Sequence, residues 1–295
     1  MRSFSTKQIV TAVLIALVFI GVLTFVVVRI KTPANVPVPQ EKPQDLGYAH
    51  TVIGKSVQGR TIDAYTYGTG TTHLLFVGGI HGGYEWNSIL LAYQFMDYLK
   101  TNPLIIPKNL TITVIPSANP DGVFKVIGKE GRFAAADVPT GGKEVRAPGR
   151  FNAHGVDLNR NFDCKWKSES TWQSKIVSAG TSAFSEPETS ALRDFVLKEK
   201  PDVVVFWHSQ SNAVYASECE KGILPKTLEV MNAYAKAAGY PAVSSFDAYP
   251  ITGDAEGWLA SINIPAVTVE LKTHETIEWE QNLAGIKALF TLYSK

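Results

Sequence analysis

Four residues stand out for the chemistry their side chains could do together. His81 and Glu85 lie four apart in GGIHGGYEWNS (Gly78 to Ser88), His208 ends the run VVVFWHS, and Glu270 sits in AVTVEL. Two imidazoles and a carboxylate are a donor set that a catalytic zinc takes, with one position left open for water or substrate. Such a site also needs a carboxylate to accept a proton from the attacking water. Glu270 closes an apolar run, where a charge without a partner is costly. Each residue also has an ordinary account by itself. His81 and His208 would be polar residues at turns, and Glu270 a salt-bridge partner. Residue types alone leave both accounts open.

These residues have to be positioned by something, and the apolar runs before them supply it. His73 to Gly79, Leu110 to Ser117, Asp202 to Ser209 and Ala266 to Leu271 are short and rich in Val and Ile, without clean alternation. That pattern predicts central strands covered on both faces. Helices are predicted over Trp86 to Leu99, Glu186 to Lys198 with Ser185 as N-cap, Leu224 to Ala238 and Asn282 to Tyr293. The alternation implies an α/β fold, with a mixed, mostly parallel central sheet flanked by helices. Ligands of open α/β sheets bind beyond the carboxyl ends of strands, and His81, His208 and Glu270 each fall at or near such an end. The connection from Asp121 to Ser185 is too long to be only a connector. It carries Arg146, Arg150, His154, Asp157, Asn159 and Arg160.

With 45% hydrophobic and 19% charged residues, the composition is that of an ordinary globular chain. Ile9 to Val28 is uncharged throughout and long enough as a helix to cross a bilayer. A transmembrane helix within residues 1–30 is therefore expected, with a cleaved signal peptide as the alternative. A proline-rich linker over 31–45 and one catalytic domain over 46–295 would follow. On this reading the bilayer is a partner through residues 9–28 and the protein is single-pass, with its domain extracytoplasmic. Lys and Arg number 28 against 27 Asp and Glu. No basic patch shows in the sequence, which argues against nucleic acid as a partner. Cys164 and Cys219 are too far apart in sequence to pair as metal ligands. They form either a disulfide or two separate thiols.

Five segments in order resemble the zinc carboxypeptidase family: GGIHGGYEW, NPDG (Asn119 to Gly122), GRFNAHGVDLNRNF (Gly149 to Phe162), FWHSQ and TVELK. The third is the most specific, and together they span Gly78 to Lys272. The resemblance implies a metallopeptidase with one zinc ion held by His81, Glu85 and His208. Glu270 would be its general base and then the proton donor to the leaving amine, and Arg150 would polarise the scissile carbonyl. Asn159 and Arg160 would bind the terminal carboxylate of a peptide substrate, and Tyr249 would cover it. Asp254 and Glu256 would line the pocket for the end side chain and favour a basic group such as lysine or diaminopimelate. Asp157 would orient a ligand, and His154 and His274 carry no ligand role. Alternatives on the same fold are an amidase or endopeptidase of cell-wall peptides and a deacylase of amino-acid conjugates. A further alternative is an inactive, membrane-displayed peptide-binding module. The sequence carries no reading of oligomeric state.

One departure concerns Glu85. The family places two residues between its histidine and glutamate, whereas Gly82, Gly83 and Tyr84 intervene here. Glu85 reaches the site only if the turn bulges, which the paired glycines permit. Otherwise a water or another acid takes its place.

Overall fold

Along the chain the elements run β1 (Ala49–Lys55), β2 (Thr61–Gly68), β3 (Thr72–Val77), α1 (Trp86–Thr101), β4 (Leu110–Ile115), α2 (Pro120–Ile127), β5 (Glu169–Trp172), β6 (Lys175–Ser178), α3 (Pro187–Glu199), β7 (Val203–Ser209), β8 (Ala213–Ala216), β9 (Glu218–Cys219), β10 (Gly222–Ile223), α4 (Pro225–Ala238), β11 (Ala242–Val243), α5 (Ala255–Ser261), β12 (Ala266–Leu271) and α6 (Trp279–Tyr293). This is a computed structural model, and it describes residues 47–294. Eight strands form one sheet in the order β1-β2-β4-β3-β7-β12-β8-β11. The four apolar runs become its central strands, β4, β3, β7 and β12, paired parallel to one another. The edges are mixed: β1, β2 and β8 join antiparallel to their inner neighbours, and β11 joins β8 parallel.

The central strands are apolar on both sides because both sides are covered. Leu74 and Phe76 of β3, with Val205 and Trp207 of β7, pack in one layer with Phe95 of α1, Tyr234 of α4 and Ile286 of α6. Leu75 and Val77, with Val204 and Phe206, pack in the other with Leu192 of α3 and Trp258 of α5. Successive side chains of a strand point to opposite faces, so His208 shares the second face with Phe206. Glu270 pairs in register with His208 across the parallel β7–β12 ladder and therefore faces the same way. Sheet pairing sets these two side chains side by side, roughly 5 Å apart at the backbone.

Two expectations are corrected. The transmembrane helix, with its bilayer contact through residues 9–28 and single-pass location, finds no counterpart among the described residues. No helix there is long and apolar enough to cross a membrane. The longest, α1, has 16 residues, about 24 Å against a hydrocarbon core of about 30 Å. The segment 9–28 itself lies outside the described residues, and membrane contact is not carried forward. The second correction is local. α3 starts at Pro187 behind Glu186, without a side-chain cap, and Ser185 Oγ donates instead to Glu186 Oε1 at 2.9 Å. Cys164 and Cys219 are joined in a disulfide that ties the loop after Phe162 to β9.

Candidate metal centre and substrate cleft

Beyond the carboxyl ends of β3, β7 and β12 lies a cleft of about 430 Å³. Its floor is built by a tight turn. His81 follows the end of β3, and Gly82 to Glu85 form a short 3₁₀ turn leading into α1. Gly82 adopts φ +46°, a left-handed conformation that glycine takes at no steric cost. A Cβ on Gly82 would lie 2.6 Å from the Gly149 carbonyl oxygen, and one on Gly83 2.7 Å from Val126 Cβ. The two glycines thus supply both the bulge and the room for the neighbouring chain. The added residue is absorbed, and Glu85 Oε1 arrives 2.7 Å from His81 Nδ1. Gly82→Ala is expected to cost about 1–3 kcal/mol of stability and to weaken metal uptake. Urea unfolding of the metal-free protein checks this, and an unchanged midpoint would contradict the account.

His208 completes the cluster. Its Nδ1 lies 3.1 Å from Glu85 Oε2 and 3.2 Å from His81 Nδ1. All three residues are buried. Two imidazole nitrogens facing each other across a carboxylate are an acceptor-rich arrangement suited to a cation. One ligand atom from each of the three lies within 4.8 Å of the others, close enough for a single cation to span. The donor set therefore fits a divalent metal. Without one, proton sharing holds the cluster together. Burial pushes Glu85 upward, but His81 and His208 outweigh it and hold the carboxyl well below its usual range. Burial pushes His208 downward, but Glu85 and Glu256 hold it well above its usual value.

Arg150, Asn159, Arg160, Tyr249, Asp254, Glu256 and Glu270 line the same cleft, with Asp157 behind them. Glu270 Oε2 is buried and has no hydrogen-bond partner. Burial, reinforced by the charge of Glu85, raises its pKa to about 7. Asp157 is fully buried and accepts from Arg150 Nε at 2.8 Å, while its other oxygen lies 3.4 Å from His81 Nε2. Arg150 reaches to 3.6 Å from Glu85 and lies over the Trp172 ring at 4.5 Å. The Arg160 guanidinium donates to the backbone carbonyls of Thr171 and Asn159. Three of its five N–H groups are thereby committed and two are left for the cleft. Asn159 Oδ1 accepts from Ala255 N–H at 2.8 Å, so its amide N–H groups are what it can offer a ligand. Tyr249 packs edge-on against Phe246, with ring centres 4.9 Å apart. Asp254 caps α5 through Gly257 N–H, and burial with the neighbouring Glu256 raises its pKa to about 6.

Several contributors escaped the sequence reading. Trp172 and the Thr171 carbonyl come from the β5–β6 hairpin inside the long connection; the alternation in ESTWQSKIVS is the signal that could have found it. NPDG turns out to be a support. Asn119 caps α2 by accepting from Gly122 N–H at 2.8 Å and donates to the Arg150 carbonyl, while a Cβ on Gly122 would meet Gly149 O at 2.3 Å. His154 is turned away toward Glu186. His274 lines the cleft and is held by Ser209 Oγ at 2.6 Å.

Known proteins carry the same architecture. The profile of peptidase family M14, zinc carboxypeptidase, matches residues 47–292. A γ-D-glutamyl-L-diamino acid endopeptidase of Lysinibacillus sphaericus is 25% identical over 240 residues, covering 75% of this chain and 60% of that protein. The chain thus spans about 60% of that relative's length. Among solved structures, carboxypeptidase A of Helicoverpa armigera superposes with a TM-score of 0.64 at 19% identity, covering 85% of this chain and 70% of the other. The murein-tripeptide amidase of Escherichia coli O157 gives 0.56 at 22% identity, with 85% and 95% covered. At such identities the structural likeness is one of fold, and the family follows from the profile, which runs from before β1 to the last turn of α6: this chain belongs to the zinc carboxypeptidase family.

Proposed function

We propose that this chain is a zinc-dependent carboxypeptidase, hydrolysing the C-terminal peptide bond of a peptide whose end group is basic. The observation that carries the reading is Glu270, a carboxylate whose Oε2 is buried and unpartnered, set by strand register beside His208 of the metal cluster. His81, Glu85 and His208 would hold one Zn2+, which when bound acidifies water and polarises a carbonyl oxygen. Glu270 Oε2 would take the proton of the attacking water and pass it to the leaving amine. The free N–H groups of Arg150 would meet the carbonyl oxygen as negative charge develops there, a fixed cation that needs no reorganisation. The uncommitted N–H groups of Arg160 and the Asn159 amide would fix the terminal carboxylate. Tyr249 would close over the substrate from the rim.

Asp254 gives the end-group side of the cleft a carboxylate, which supports a lysine or diaminopimelate end. The endopeptidase and amidase named above act, by their names, on diamino-acid and murein peptides. That favours one second reading, an amidase or endopeptidase of cell-wall peptides in which the free carboxylate of diaminopimelate takes the place of the chain terminus. A panel of zinc-loaded assays on peptides ending in lysine, diaminopimelate, alanine and phenylalanine, with products identified by mass, separates the two. Release of a single terminal residue is expected, whereas cleavage only at bonds beside diaminopimelate would establish the second reading. Asp254→Asn should lower kcat/KM for the lysine end about tenfold relative to alanine, equivalent to about 1.4 kcal/mol.

A further inference from the structure

The two histidines of the cluster are backed in the same way on their far sides. His81 turns Nε2 toward Asp157 Oδ1 at 3.4 Å, and His208 turns Nε2 toward Glu256 Oε1 at 3.2 Å. Both carboxylates are buried, Asp157 at 0% exposure and Glu256 at 3%. Glu256 stands in the first turn of α5, and Thr268 Oγ1 donates to the same oxygen at 2.9 Å. Thr268 lies two residues before Glu270 on β12, so it points to the face that carries Glu270 and His208. One carboxylate oxygen is thus held by the strand that carries Glu270 and faces the metal cluster.

We infer that Glu256 is a positioning residue of the metal site: it orients the His208 ring and strengthens zinc binding, and it does not select the substrate's end group. This rests on the zinc reading proposed above. His208 Nε2 is buried with no hydrogen bond of its own and faces this carboxylate. A neutral His208 that turns its Nε2–H onto Glu256 when the metal binds keeps its lone pair on Nδ1, the nitrogen that faces His81 and Glu85. The carboxylate behind the ring fixes the tautomer and makes the ligating nitrogen more basic, an arrangement whose loss costs 10- to 100-fold in metal affinity elsewhere. A carboxylate so enclosed and committed is poorly placed to pair with a substrate cation. Asp254, whose committed oxygen serves only the Gly257 N–H cap, is left to do so.

Zinc affinity measured by competition with a chromophoric chelator tests this on the full chain, for wild type, Glu256→Gln, Thr268→Val and Asp254→Asn. Glu256→Gln should bind zinc 10- to 100-fold more weakly. Thr268→Val should lose a few-fold, and Asp254→Asn should match wild type. The ratio of kcat/KM for lysine- and alanine-ended peptides should be preserved in Glu256→Gln. A Glu256→Gln protein that is folded by circular dichroism and holds zinc as tightly as wild type overturns the inference. So does one whose lysine-to-alanine ratio falls tenfold. If Glu256→Gln does not fold, Thr268→Val decides: unchanged affinity there overturns it. Wild type that takes up no zinc would overturn the zinc reading first, and this inference with it.

Discussion

Glu270→Gln is expected to lower kcat/KM by about 10²- to 10⁴-fold, the range that a positioned general acid–base supplies, while about one zinc per chain stays bound. The amide has nearly the shape of the carboxylate but cannot take a proton, and Glu270 is not one of the clustered donors. The wild-type pH profile should show the same group. Burial raises Glu270 to about 7 in the metal-free site, and a cation at the cluster favours its ionised form and moves that value down. Only the carboxylate can act as base, so kcat/KM should climb with pH along an acid limb below 7, and Glu270→Gln should lack that limb. The linkage sign gives a second check. A carboxyl whose folded pKa is raised above its unfolded value binds more protons folded than unfolded. The metal-free protein therefore loses stability between the unfolded value of 4.5 and about 7. Glu270→Gln should lose less over that window. Full activity in Glu270→Gln with zinc bound would sink the mechanism.

The site was legible in the sequence where one strand end fixes one residue, and illegible where two segments meet. β3, β7 and β12 announce themselves as apolar runs because helices cover both of their faces, and each run carries its polar residue at the end. The register that sets Glu270 beside His208 is a parallel pairing between residues 62 apart, and nothing local specifies it. The edge strands were missed for the opposite reason. β1 is mostly exposed, and β8 and β11 have only four and two residues, so neither hydrophobicity nor length marks them. GGYE shows the limit most clearly. Counting residues made Glu85 doubtful, whereas the left-handed Gly82, fitted against Gly149 and Gly122, delivers it to His81. The two acids of GDAEGW are likewise indistinguishable in sequence. Only the start of α5 at Ala255 turns Glu256 inward to His208 and leaves Asp254 as the cap.

His208→Ala is expected to reduce zinc from ~1 per chain to ~0, because a catalytic zinc site supplies only three protein ligands, and to abolish hydrolysis with it. The fold should survive. Glu85 keeps His81 Nδ1 at 2.7 Å, the Ser209 N–H at 3.3 Å and Arg150 at 3.6 Å, so removing one imidazole does not leave its buried charge unpaired. The loss in the metal-free protein should stay near 1–3 kcal/mol, the cost of one buried polar partner. Thermal unfolding with and without zinc then separates a missing ligand from a damaged fold. At free zinc a thousandfold above Kd, linkage adds about 4 kcal/mol. For a domain of this size that is a rise in Tm of about 8–16 °C, expected for wild type and absent in His208→Ala. Glu256→Gln should fall between them near saturation, since a 10- to 100-fold weaker site forfeits about 1.4–2.7 kcal/mol of that linkage. The three proteins are therefore ordered by what each retains of the ligand and its support: the ring with the carboxylate behind it, the ring without that carboxylate, and no ring. A His208→Ala protein that still gains the full zinc shift would place the metal elsewhere and remove the basis for assigning Glu85 and His81 as its ligands.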